Sequence, residues 1–273
     1  MKDVILDYIK TVLENYDYWI NSVVTVLTED FFQNGNEWYD FGMTVAGVIK
    51  PAALSIVGMC FFIEFLKITI NANILKWEWM FKCFFKLCFA KVCIDISYEV
   101  LSAIYATAAS WISKISTSGG SIGVDTYKMI KPELDSYGTM AMIGVAVTCA
   151  IMFIAIMFIA IIIKVIAYAR KFEIILYLSI SPLPCAFLPL EDGGSSRIPK
   201  KFFMTFAGVC VQGLFIIISI KLYEVLCTTE ITDAIASGGS MFTVMSQMLL
   251  ASLVLLMAVF KSSTWAKNIL DAM

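Results

Sequence analysis

From Met140 to Ile163 the chain runs for 24 residues without a charged side chain. About 20 such residues cross the hydrocarbon of a bilayer as a helix, which satisfies its own backbone hydrogen bonds. The stretch has company. Phe202–Ile220 lies uncharged between Lys201 and Lys221, and Met241–Phe260 is closed by Lys261. Phe41–Leu66 is broken only by Lys50, beside Pro51, and by Glu64. A further apolar run, Ile174–Leu190, holds Pro182, Pro184 and Pro189, which argue against one straight helix. Trp38, Trp77, Trp79, Trp111 and Trp265 flank these runs, as interfacial aromatics do. Composition agrees: the chain is 60% apolar, against ~45–50% in soluble domains, with 20 basic and 22 acidic side chains among 273 residues. Such an excess of apolar surface excludes a soluble enzyme. The predicted class is all-α. A polytopic membrane helical bundle of five or six transmembrane segments, residues 41–273, follows an amphipathic N-terminal helix and acidic linker, residues 1–40.

That first helix differs in kind from the rest. Val4, Ile5, Tyr8, Ile9, Val12, Leu13, Tyr16, Ile20, Val23, Val24 and Leu27 recur at three- and four-residue steps, opposite Asp3, Asp7, Lys10, Glu14 and Asp17. Eight acids and two lysines in the first 41 residues argue against charge-driven binding to an anionic leaflet. Asp7 interrupts any signal-peptide core, so no removable signal is expected. Two readings fit: a helix lying on the membrane or bundle, or a docking helix for a partner.

The segment Trp79–Ile112 is the exception among the apolar stretches. It carries Lys82, Lys86, Lys91, Asp95 and Glu99, too many charges for lipid on all sides. On a helical wheel Lys91, Asp95, Ser102, Ala106, Ala109 and Ser113 fall within ~60° of one another. Lys91 and Asp95 stand four apart, as do Asp95 and Glu99, a spacing that permits internal neutralisation. The segment is either a surface helix with paired charges or a tilted span whose polar stripe faces a bundle or conduit. Basic-residue placement favours five crossings without it: with the N-terminus outside, inside segments hold 13 basic residues and outside segments 6. Counting it as a sixth crossing removes that bias.

Several chemistries are absent. The chain has no histidine, which excludes imidazole bases and His metal sites. Neither a phosphate-cradling Gly-rich loop nor a nucleophile elbow occurs, so no catalytic, metal or cofactor site is expected. The eight cysteines lie in or beside apolar segments without Cys-x-x-Cys spacing and read as buried packing thiols. Gly144 with Thr148, and Ala146 with Ala150, suit close helix contact. Two Ser-Gly-Gly-Ser runs, Ser118–Ser121 and Ser237–Ser240, read as helix stops.

The most informative local feature is Ser181-Pro182-Leu183-Pro184. Pro182 and Pro184 each delete a backbone donor, and carbonyls freed in this way must face protein or water. Broken helices of this type form ion sites in some transporters and plain kinks elsewhere. A polar loop follows and ends in Arg197, Lys200 and Lys201, a basic patch suited to lipid headgroups, an acidic partner or passing nucleic acid.

The order of features is similar to the TrbL-like polytopic inner-membrane subunits of type IV secretion, the machines of bacterial conjugation. The likeness is strongest over Met140–Ile220. There a long uncharged span ends in a basic patch, and Ser-Pro-Leu-Pro and a Gly-rich loop lead through Arg197 and Lys200-Lys201-Phe202-Phe203 into another span. The resemblance implies a non-enzymatic, cofactor-free channel or scaffold subunit in the cytoplasmic membrane. It would form a homo-oligomer with other secretion-system membrane subunits, and partner ATPases would drive the DNA or protein it touches in passing. The chain is short for that family and shows no large soluble tail, which implies a minimal form. Lys91, Asp95, Glu99, Arg197, Lys200 and Lys201 are the candidate conduit or partner contacts, and Ser181, Pro182 and Pro184 the broken-helix element. An ion-coupled secondary transporter, with Glu64, Asp95 and the Pro break as a midplane ion site, is the alternative. A membrane scaffold or a pore-forming, toxin-like protein is the third.

Overall fold

The computed structural model describes residues 2–33, 35–71, 77–116, 127–132, 138–189, 197–238 and 240–271, and every regular element among them is helical. In chain order the longer elements and the break are α1 (Lys2–Thr28), α2 (Glu37–Asn71), α3 (Trp77–Ser116), α4 (Thr139–Ile180), the short α5 (Pro182–Cys185), α6 (Arg197–Ala236) and α7 (Met241–Asp271), and residues 127–132 between α3 and α4 are also helical. The all-α expectation holds. Ser118–Ser121, residues 191–196 and Gly239 lie outside the described residues.

Local chemistry sets the helix ends. Asn36 accepts the Trp38 N–H through Oδ1 at 3.1 Å and caps α2, with Glu37 and Asp40 in the first turn. Gly238, at φ 69, closes α6 by donating to the Ile235 carbonyl at 3.0 Å. Pro199 sits in the first turn of α6, where its missing N–H costs nothing.

Among the described residues, four helices are long and apolar enough to cross a membrane: Glu37–Lys67, Met140–Cys185, Arg197–Ala236 and Phe242–Ile269. The chain is a multi-pass membrane protein. The difference from five has a plain cause. Met140–Ile163 and Ile174–Ile180 belong to one helix of 42 residues, ~63 Å long, about twice the hydrocarbon thickness. Lys164, Arg170, Lys171 and Glu173 separate the two runs in sequence but include no helix breaker. The helix ends instead where the prolines predict: α4 stops at Ile180 and Pro182 opens α5.

The chain forms two compact units. One comprises Met1–Glu29, Ser110–Ala169 and Gln212–Trp265. Its core takes Ile9, Leu13, Val23 and Leu27 from α1, leaving Val4 and Tyr8 exposed. From α4 it takes Met142, Cys149, Ile156 and Ile163, a seven-residue repeat that keeps one seam inward. Tyr223 on α6 and Ser252 on α7 share a buried hydrogen bond of 3.2 Å.

The other unit comprises Asp30–Ala109, Arg170–Val211 and Ala266–Met273. One cluster is aromatic: Phe31, Phe32, Tyr39, Tyr105 and Phe206 pack with Leu101 and Leu178, and the Phe32 and Tyr105 rings stack at 4.8 Å. A second joins Ala53 and Val57 of α2, Ala90 and Ile94 of α3, and Cys185 and Ala186 at the break. Among the eight thiols, all free, only Cys88 and Cys93 are not buried.

Candidate conduit and partner-contact site

All nine residues singled out by the sequence belong to the second unit. α3 carries Lys91, Asp95 and Glu99 at successive four-residue steps. Lys91 and Glu99 are exposed and Asp95 is half-buried. Spacing alone permits a Lys91–Asp95 pair, but the structure chooses otherwise. Asp95 Oδ1 meets Lys50 Nζ of α2 at 2.7 Å. Glu99 accepts the Tyr98 hydroxyl at 3.1 Å. Lys50 is the residue that sequence reasoning missed. A lone lysine nine residues inside an apolar run needs a partner, and a lone aspartate on a neighbouring helix was the available one.

The pair is half-exposed, with the side chains at 41% and 42% accessibility. It also lies within the α2 span Glu37–Lys67. No member of the stripe Lys91, Asp95, Ser102, Ala106, Ala109 and Ser113 is buried. α3 thus keeps this strip open, while Ala90, Ile94, Leu101, Tyr105 and Ala108 of the same helix are buried.

The broken-helix element is enclosed instead. Ser181 is fully buried and Pro182 is buried, whereas Pro184 is partly covered. The Ser181 and Ser97 hydroxyl oxygens lie 3.3 Å apart, and Ser97 donates to the Ile94 carbonyl at 3.0 Å. A hydroxyl has one proton, so Ser181 is the donor to Ser97. The break packs against α2 and α3, and its own turns satisfy its backbone: the Ser181, Ala186, Phe187 and Leu188 N–H groups donate to the Leu178, Leu183, Pro184 and Cys185 carbonyls, as irregular backbone at membrane depth requires.

Arg197, Lys200 and Lys201 are exposed at the start of α6, and Pro199 between them is buried. Among the six contact candidates and the described residues, only Asp95 is ion-paired. Arg170, the other arginine, is buried: its Nε and Nη2 donate to the Val209 and Cys210 carbonyls at 3.0 and 3.1 Å. It is a clamp between α4 and α6.

Glu64 is 4% exposed, and its Oε2 has no hydrogen-bond partner among the described residues. It stands fourteen residues from Lys50, ~21 Å along α2. Lys50 holds Asp95, so Glu64 and Asp95 do not form one site. No group of three or more Cys, Asp or Glu among the described residues is placed to hold a metal ion.

Residues 38–182 match the family described as TrbL/VirB6 plasmid conjugal transfer like protein. The chain belongs to that family. The match takes in α2, α3 and α4 and ends at Pro182, so within the TrbL/VirB6 region lie the Lys50–Asp95 pair, Lys91, Glu99 and the Ser181–Pro182 break. It begins well before the Met140–Ile220 stretch where the resemblance is strongest by feature order, and the Arg197–Lys201 patch lies beyond it. No curated protein and no solved structure matches the chain.

Proposed function

We propose that this TrbL/VirB6-family chain is a non-enzymatic channel or scaffold subunit of a conjugative type IV secretion system. It sits in the cytoplasmic membrane with its N-terminus outside and helps translocate DNA or protein. It works as a homo-oligomer with other membrane subunits, and partner ATPases supply the energy. Residues 1–40 form the amphipathic and acidic lead-in to the transmembrane domain 41–273.

The observation that carries this reading is the half-exposed Lys50–Asp95 pair inside a span of a conjugal-transfer family member. An open intramembrane ion pair is costly against lipid, and such groups face water-filled paths or other subunits. Lys91 and Glu99 extend the same strip, and Arg197, Lys200 and Lys201 add exposed cations in the same unit. The transporter reading draws less support, because Asp95 is already engaged by Lys50 and stands apart from Glu64.

Photo-crosslinking residues introduced at Lys91 and Glu99 test the proposal in mating cells. Adducts with transferred DNA, a second copy or another secretion subunit are expected. Adducts with lipid alone at both positions would contradict a conduit or partner role.

A further inference from the structure

α3 does not count among the helices apolar enough to span, because of its charges, yet its neighbour fixes its depth. α2 spans, and α3 runs antiparallel beside it. Three levels of contact set the register. Lys50 meets Asp95; Ala53 and Val57 pack with Ala90 and Ile94; Phe61 and Phe65 line one groove of about 240 Å³ with Phe81 and Phe84. The stretch Phe81–Asp95 therefore lies at the depth of Lys50–Phe65.

The outward side of that stretch is apolar and bulky. Phe81, Phe85, Cys88, Phe89, Val92 and Ile96 recur at three- and four-residue steps and are all exposed, Phe85 to 74%. With Trp77 at its start, the face runs 20 residues, ~30 Å, which matches the ~30 Å hydrocarbon layer. We propose that lipid acyl chains cover this face, so that α2 and α3 enter the bilayer together as a hairpin and α3 is a further intramembrane helix. The inference rests on the membrane placement of α2 and deepens the reading above.

Bulk decides between lipid and a partner helix. Helices that pack together in membranes present small residues, and this face presents phenylalanine, valine and isoleucine. The polar groups lie at its edge or beyond its end. Glu64 is buried. Asp95 and Lys91 sit ~70–110° round the helix from the centre of the apolar face, and Glu99 stands beyond its end. Lys82 lies five residues from Trp77, where a long side chain reaches an interface, and Lys86, at mid-length but ~110° round the helix from the centre of the apolar face, is partly buried.

Native Cys88, exposed on this face, supplies the probe. The full-length protein with Cys93→Ala is spin-labelled at Cys88 and reconstituted alone in phospholipid liposomes. Collision rates are then measured with oxygen, which partitions into lipid, and with a water-soluble nickel chelate. Lipid contact gives oxygen collisions several-fold above nickel collisions, at Cys88 and again at Phe85→Cys, one turn away. Dominant nickel collisions would make α3 a surface helix and overturn the proposal. Low rates with both reagents would mean that protein covers the face, and would overturn it equally. Neither result bears on whether the chain serves conjugation, which mating assays read separately.

Discussion

Lys50 of α2 and Asp95 of α3 meet at 2.7 Å, 45 residues apart in sequence and half-open to the outside. In water such a pair contributes ~1 kcal/mol at most. In a membrane, a partner removed leaves its mate as an uncompensated charge, and that asymmetry can be measured. Asp95→Lys is expected to lower the yield of folded protein in membranes and its thermal midpoint. The exchange Lys50→Asp with Asp95→Lys restores both. Equal loss in the single and the double variant would show that the two residues do not act as a pair.

Arg170 makes a different kind of link. Its two charge-assisted bonds to the Val209 and Cys210 carbonyls fix α4 against α6. Arg170→Ala is expected to cost about 3 kcal/mol, from the lost bonds and the space left behind. Arg170→Lys keeps the charge but not the fork, and should recover less than half of that. Denaturant titration in detergent compares the three proteins.

The Ser97–Ser181 contact predicts an asymmetric pair of effects. Ser181 donates to Ser97, and Ser97 donates to Ile94. Ser97→Ala strands the buried Ser181 hydroxyl and should cost about 1–3 kcal/mol. Ser181→Ala leaves Ser97 with its backbone acceptor and should cost less. The double alanine variant should fall short of the sum, as a double-mutant cycle reads directly.

Much of this architecture was legible in the sequence, and the reasons differ by residue. Met142, Cys149, Ile156 and Ile163 face one core because a helix repeats its faces, and the run of uncharged residues marks α4 as membrane material. α4 ends before Pro182 because Pro182 and Pro184 remove two backbone donors within one turn, whereas the single Pro51 leaves α2 unbroken. Partner choice was not legible. Helical spacing offers Lys91 to Asp95, but only the packing of Ala53 and Val57 on Ala90 and Ile94 brings Lys50 within reach. The four charges from Lys164 to Glu173 suggest a gap between two spans. Yet Arg170 is satisfied by the α6 carbonyls and Lys171 rests 5.1 Å from the Phe31 ring centre, so the helix runs on through them.

Two glycines of α2 should respond in opposite ways. A Cβ at Gly42 would meet Leu178 Cδ2 at 3.0 Å and Ile175 Cγ2 at 3.4 Å, whereas one at Gly58 meets nothing within 4 Å. Gly42→Val is expected to destabilise the protein by about 1–3 kcal/mol. Gly58→Ala should stabilise the isolated chain by up to ~1 kcal/mol, because helix-interior glycine is costly. Thermal unfolding of the purified variants checks both signs.

The place of this TrbL/VirB6-family chain in conjugation is tested most directly by mating frequency in a donor lacking its gene. Transfer should vanish without loss of donor viability and return with the wild-type gene. It should stay low with Asp95→Lys and recover with the Lys50→Asp, Asp95→Lys exchange. Undiminished transfer from the deletion strain would contradict a role in the secretion channel.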